Sequence, residues 1–152
     1  MRKIASFCVN HLTLGKGMYI SRVDGDIVTY DIRMKVPNAG DYLENAPLHT
    51  FEHLFATYAR NSALSGSVVY VGPMGCRTGF YLLMRGVSHA DALALTRESM
   101  DFIAAYEGEV PGVSARECGN WLDHDLQKAR AYAADMARVL KDWDEARMTY
   151  PD

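Results

Sequence analysis

His49-Thr50-Phe51-Glu52-His53 is the stretch of this chain whose residue types and spacing carry the most chemistry. Residues four apart on a helix stand one above the other, so two imidazoles at that spacing can be directed at a single ion. Glu52 falls about 60° round the helix from His49, near enough to share the site as a base without being forced to ligate. A His-x-x-x-His match arises often by chance on a half-exposed helix face, and the intervening glutamate strengthens the case for a metal. In the order His-x-x-Glu-His the pentapeptide is also the signature of inverted zinc peptidases, so it argues for a metal more strongly than for any one reaction.

A catalytic metal needs a third protein ligand and an open position, and that ligand can come from far along the chain. The candidates are Cys118, Cys76, Cys8, His11, His89 and His124. Cys118 is favoured, because Gly119 in Glu117-Cys118-Gly119-Asn120 lets the backbone approach closely, whereas His89 falls at the start of a helix in polar surroundings. Alone, Cys118 would read as an inert buried thiol. A second thiol sits in Pro73-Met74-Gly75-Cys76-Arg77-Thr78-Gly79-Phe80, where glycines bracket Cys76 and Arg77 on a bend. A cation near a thiol lowers its pKa and makes it a proton carrier, although a tight turn alone would give the same pattern.

Strands and helices must hold these residues in place. Ile27 to Val36 alternates, with Val28, Tyr30, Ile32, Met34 and Val36 on one face and Thr29, Asp31, Arg33 and Lys35 on the other, which predicts a half-buried strand. Pro37 to Asp41 is a turn cluster. After Pro47, the run from Leu48 to about Arg60 carries Leu48, Phe51, Leu54, Phe55 and Tyr58 at helical spacing and predicts a mostly buried helix bearing the two histidines. Val68–Val71 and Gly79–Met84 read as short strands, antiparallel across the glycine-rich bend. Ser88 is a candidate N-cap for a helix to about Tyr106, with Asp91 favouring its positive end. Leu93, Leu95, Met100, Phe102, Ile103 and Tyr106 form its apolar half, set to cover a sheet. Glu107 to Gly119 is a loop, and a last helix from about Asp123 to Lys141 turns Leu126, Ala133, Met136 and Leu140 inward. The order strand, helix, strand, strand, helix, helix predicts an α+β fold, an antiparallel sheet packed against helices, rather than a doubly wound parallel sheet.

Composition bounds the function. The 152 residues make about one domain, with no repeat, linker or low-complexity stretch, and 49% hydrophobic with 23% charged residues is ordinary for a folded protein. Lys and Arg are scattered through a chain of net charge -3, which gives nucleic acid no electrostatic footprint. Apolar runs fall far short of the roughly 20 residues of a membrane span, and no secretory signal follows Met1. With three separated cysteines, an odd set best kept as thiols, these features predict a cytoplasmic protein.

Together the motifs resemble one family. His49-Thr50-Phe51-Glu52-His53-Leu54, Pro73 to Phe80, and Cys118-Gly119-Asn120 with Asp123-His124 are similar, in order and spacing, to the signature blocks of LuxS, the S-ribosylhomocysteine lyases. Ser6-Phe7 with His11, and Asp31-Ile32-Arg33 with Pro37-Asn38, match two further family segments, so the resemblance runs from about residue 5 to about residue 140. It implies a homodimeric enzyme, its sites shared across the interface, that cleaves the thioether of S-ribosylhomocysteine into homocysteine and 4,5-dihydroxy-2,3-pentanedione, the autoinducer-2 precursor. His49, His53 and Cys118 match the family's metal ligands, for Fe(II) with zinc or cobalt as substitutes. Glu52 and Cys76 match its general acid/base pair, and Ser6, His11 and Arg33 match positions lining the substrate pocket. Tyr70 stands where the family usually has an Asp that helps hold the homocysteine amino group, which makes position 70 the expected determinant of that grip. Gly72, Ala5 and Asn10 replace a usual Ser, Glu and Asp. An inverted zinc peptidase is the competing expectation, and it would need a downstream carboxylate in place of cysteine. A catalytically idle metal-binding or dimerisation module is a third, against which the intact Glu52 and Cys76 argue.

Overall fold

The computed structural model describes residues 1–152. Its sheet is antiparallel throughout, in the order β1-β2-β4-β3, built from β1 (Gly17–Asp24), β2 (Ile27–Arg33), β3 (Val68–Pro73) and β4 (Gly79–Arg85). Three helices, α1 (Asn45–Asn61), α2 (His89–Ala104) and α3 (Leu126–Leu140), complete the α+β arrangement expected from the sequence. Met18, Tyr30, Ile32, Phe80, Leu82 and Met84 on the sheet share one core with Phe51, Leu54 and Phe55 of α1 and the buried stripes of α2 and α3. Phe51 packs on Phe80 with ring centroids 4.9 Å apart, which seats α1 on the face that carries Ile32. Each fully buried side chain of this size stabilises the fold by about 1.5–3 kcal/mol.

The helices start where local chemistry says they should. Ser88 caps α2 by accepting from the Asp91 backbone N–H, as expected. α3 begins at Leu126 because Asp125 accepts from the Lys128 N–H, slightly later than the sequence suggested. α1 begins at Asn45, ahead of the expected Leu48, because Pro47 sits inside its first turn, where a missing N–H costs no intrahelical bond. The strand expected to reach Val36 ends at Arg33, and β3 runs two residues past Val71. β1 was not anticipated. It joins β2 through Gly25-Asp26, with Gly25 at φ +62 in the first loop position, where a type II′ hairpin takes glycine.

The second face of the sheet is covered by the chain's own ends. Register places Tyr19, Asp31 and Tyr81 in one row across this face, beside Arg33 opposite Gly79. After α3, the Trp143 indole donates to the Met18 carbonyl at the β1 edge, and a short 3-10 turn, Glu145–Met148, follows. Tyr150 then stacks on Tyr19 with centroids 5.2 Å apart. Thr13 donates to the Asp152 carbonyl at 2.9 Å, tying the two termini together. Asp31 and Arg33, which alternation assigned to an outward polar face, are therefore buried.

Candidate active site

Two groups of functional side chains are assembled, one beside α1 and one on the second face of the sheet. In the first, His49 and His53 stand one turn apart with ring centroids 4.6 Å apart. His49 Nδ1 lies 2.9 Å from the Asp123 carbonyl and His53 Nδ1 lies 2.8 Å from that of Pro111. A carbonyl only accepts, so each Nδ1 carries the proton and each Nε2 presents a lone pair. This is the outer hydrogen bonding that metal-ligating histidines show. Gly112 makes the second contact achievable: at φ +78, a Cβ there would press on His53 Nδ1 at 3.2 Å.

Cys118 Sγ lies 3.4 Å from His49 Nε2 and receives the Asn120 backbone N–H at 3.4 Å. Its loop is held by the Cys118 N–H bond to the Ser114 carbonyl at 3.0 Å. His124 enters the same group, its ring stacked on His49 at 4.1 Å. Thr50 Oγ1 donates to the Ala46 carbonyl, accepts the Asp125 N–H, and lies 3.0 Å from His124 Nδ1. The Thr50 proton is thus committed, His124 Nδ1 is the donor, and His124 Nε2 is left bare, buried and without a partner. Burial, followed by the neighbouring His49 and His53, lowers the His124 pKa. The ligand atoms of His49, His53, Cys118 and His124 all lie within 4.8 Å of one another. Three bare imidazole nitrogens around a thiol form a donor set that suits a divalent transition metal. No Asp or Glu belongs to the group, which removes the carboxylate that an inverted zinc peptidase requires. Glu52 is half-buried on the same helix.

The second group lines a cleft of about 300 Å³ whose walls include Ser6, His11, Arg33, Cys76, Tyr81 and Tyr150. Cys76 is exposed, with Sγ 3.1 Å from Thr78 Oγ1 and 4.0 Å from Arg33 Nη1. Arg33 donates to Thr78 Oγ1 at 2.6 Å and pairs with Asp31 at 2.5 Å, both charges being buried. Burial works against the Arg33 charge, yet its pKa is raised, because Asp31 first and then Cys76 and Tyr150 stabilise it. The cation beside the thiol is therefore Arg33 and not its chain neighbour. Arg77, at φ +59, turns its guanidinium to the Leu43 carbonyl at 3.2 Å.

Of the expected site residues, Ser6, His11, Arg33 and Cys76 share the cleft, and His49, His53 and Cys118 share the donor group, but none of the latter three nor Glu52 lines the cleft. Tyr70 is outside both. It lies exposed on the β3 edge with its ring folded over Gly72, where a Cβ would meet its phenol oxygen at 2.6 Å. Sequence reasoning missed Thr50, Thr78, Asp31 and Tyr150, whose roles depend on neighbours distant in the chain.

A family model described as S-ribosylhomocysteinase (LuxS) matches residues 4–147. The chain belongs to the LuxS family. Curated relatives carrying the name S-ribosylhomocysteine lyase include one from Clostridium acetobutylicum, 49% identical with all of both chains covered. Another from Porphyromonas gingivalis is 48% identical, and one from Finegoldia magna 43% identical, again with all of both chains covered. LuxS membership thus covers the donor group and the cleft together, and it displaces the peptidase reading. No helix is long and apolar enough to cross a membrane.

Proposed function

We propose that this chain is a metal-dependent S-ribosylhomocysteine lyase in which His49, His53 and Cys118 hold the metal, Glu52 and Cys76 carry protons, and Ser6, His11 and Arg33 hold the substrate. The observation that carries the reading is the donor group itself: imidazole Nε2 atoms left bare because backbone carbonyls hold the ring proton on Nδ1, gathered with a thiol within 4.8 Å. The two products, homocysteine and 4,5-dihydroxy-2,3-pentanedione, together contain every atom of the substrate, so neither water nor a redox partner is consumed. The carbonyl of the opened ribose must migrate two carbons along the chain before the sulfur, then β to it, can leave. Each migration takes a hydrogen from one carbon and returns one to its neighbour, and the elimination takes a last proton as the thiolate departs. Cys76, exposed in the cleft beside Arg33, is suited to take and return protons at one end of the sugar. Glu52, on the helix of the two histidines, is suited to do so at the other. When bound, the metal supplies Lewis acidity, drawing charge from the migrating carbonyl. Fe(II) is the proposed ion, with zinc or cobalt able to replace it.

His124 gives the donor group a fourth member. Four protein donors make a closed site of the structural kind, whereas a lyase needs an open position. We therefore keep His49, His53 and Cys118 as ligands and assign the bare His124 Nε2 to accept a hydrogen bond from a substrate hydroxyl at that position. Tyr70 is proposed to act from the β3 edge, on the amino-acid end of the substrate.

A cytoplasmic homodimer is part of the proposal. Ile4, Phe7 and Leu12 are exposed beside the cleft residues Ser6 and His11, and Trp121 and Leu122 are exposed beside Cys118. Apolar side chains bordering both halves of the chemistry are suited to pack against a second copy. The test of the activity is direct. Metal-loaded protein incubated with S-ribosylhomocysteine should release a free thiol, read with a thiol reagent, and Cys76→Ala should lower the rate by about a hundredfold to ten-thousandfold. No thiol released by folded, metal-loaded protein would overturn the reading.

A further inference from the structure

Cys76 is flanked by a buried ion pair that the chain does not fully satisfy by itself. Asp31 Oδ1 and Arg33 Nε have no hydrogen-bond partner, and Asp31 Oδ2 has two, Arg33 Nη2 and the Tyr150 hydroxyl, which donates at 2.7 Å. A buried carboxylate is costly unless paired and hydrogen-bonded, so each of those partners matters to where the carboxylate sits and how strongly it holds Arg33. Tyr150 comes from the end of the chain, beyond the last helical turn, and its ring is fixed by stacking on Tyr19. Burial, followed by the Asp31 carboxylate, pushes the Tyr150 phenol up, so it stays a donor. From Arg33 the contacts continue to Thr78 and Cys76.

We propose that Tyr150 is a positioning residue for Cys76: by sharing the Asp31 carboxylate it keeps Arg33 from being drawn wholly onto Asp31, and so keeps the guanidinium against the Cys76 thiol. The role rests on the assignment of Cys76 as a proton carrier, but the chain of contacts does not. Without the hydroxyl, Asp31 keeps Arg33 as its sole partner. The pair is already at contact, but a carboxylate released by the hydroxyl is free to turn Oδ1 to Arg33 Nε, both without a partner here. A guanidinium gripped by two bonds is drawn off Cys76, which weakens the positive field at the thiol and makes the thiolate harder to form. The other titratable groups facing Cys76 lie on different elements: His11 on the N-terminal segment and Tyr81 on β4, with Arg77 turned away toward Leu43. None of them hydrogen-bonds the Tyr150 hydroxyl, whose side-chain partners are Asp31 and Ser21.

The experiment is the pH profile of Cys76 alkylation by iodoacetamide in the metal-loaded protein, followed by mass spectrometry of the Cys76 peptide to separate it from Cys8 and Cys118. Tyr150→Phe removes one oxygen and keeps the ring on Tyr19. We expect its profile to move to higher pH, with alkylation below the midpoint slowed about three- to tenfold, equivalent to roughly half to one pKa unit. Tyr19→Phe is the control, since its hydroxyl bonds only the Gly15 carbonyl, and its profile should match the unaltered protein. An unchanged or lowered profile in folded Tyr150→Phe would overturn the proposal, as would an equal shift in Tyr19→Phe. Because alkylation needs no lyase turnover, either result stands apart from the test of the proposed activity.

Discussion

His49 and His53 were legible because a helix forces residues four apart onto one side, and a motif of that kind needs no knowledge of the rest of the chain. What prepares them to hold an ion is not in the motif. Carbonyls of Asp123 and Pro111 fix the protons on Nδ1, and the hydroxyl of Thr50 does the same for His124. A backbone carbonyl leaves no trace in residue type, so the tautomers could be read only from the fold. Arg33 shows where a pattern stops. The alternating strand put it on the polar face and the family resemblance put it in the substrate pocket, and the cleft includes it. Alternation says nothing of what covers a face, so its burial beside Asp31 was not legible. The ligand assignment has a spectroscopic check. Protein loaded with Co(II) should show a thiolate-to-metal charge-transfer band, and Cys118→Ala should lose it while Cys76→Ala keeps it. A band that survives Cys118→Ala unchanged would move the thiolate ligand elsewhere.

At the scale of elements, strands with clean alternation were found and the interrupted one was not. In β1 the pairing slips between Ile20 and Arg22, so the residues on the side of the sheet that carries Tyr30 and Ile32 fall at Met18, Ile20 and the exposed Val23, two apart and then three. A β-bulge of this kind breaks the period on which strand recognition depends. β3 has the same irregularity between Val68 and Tyr70, but three valines and a glycine-rich bend marked it anyway. That bend brings Cys76 to the cleft only because β4 starts flush against β2. Gly79 is the contact point, and a methyl group there would overlap the Ile32 carbonyl oxygen. Gly79→Ala should therefore push the strands apart at the base of the Cys76 turn and destabilise the protein by about 1–3 kcal/mol, the usual cost of overpacking a tight site. Denaturant unfolding measures it, and a variant as stable as the parent would show that the strand ends can shift freely.

For the whole molecule, the decisive feature is that the sheet separates the two groups. α1 packs through Phe51 on Phe80, on the face of Ile32, while Arg33 and the cleft with Cys76 belong to the opposite face. The sequence pattern named both sets but could not reveal this division, because it depends on how the termini fold back over the second face. If Cys76 and Cys118 serve one substrate, the arrangement favours a site formed by the Cys76 cleft of one copy and the donor group of another. Cys76→Ala and Cys118→Ala should each be inactive alone. Co-expressed in equal amounts, half of the resulting dimers would combine the two variants, and each of those would contain one site with both cysteines intact. Activity should then recover to about a quarter of the parent value, as expected for random pairing in a two-fold symmetric dimer. If both cysteines instead served from the same copy, every site in the mixture would lack one of them. The mixture would stay as inactive as its components, and the shared-site arrangement would be wrong.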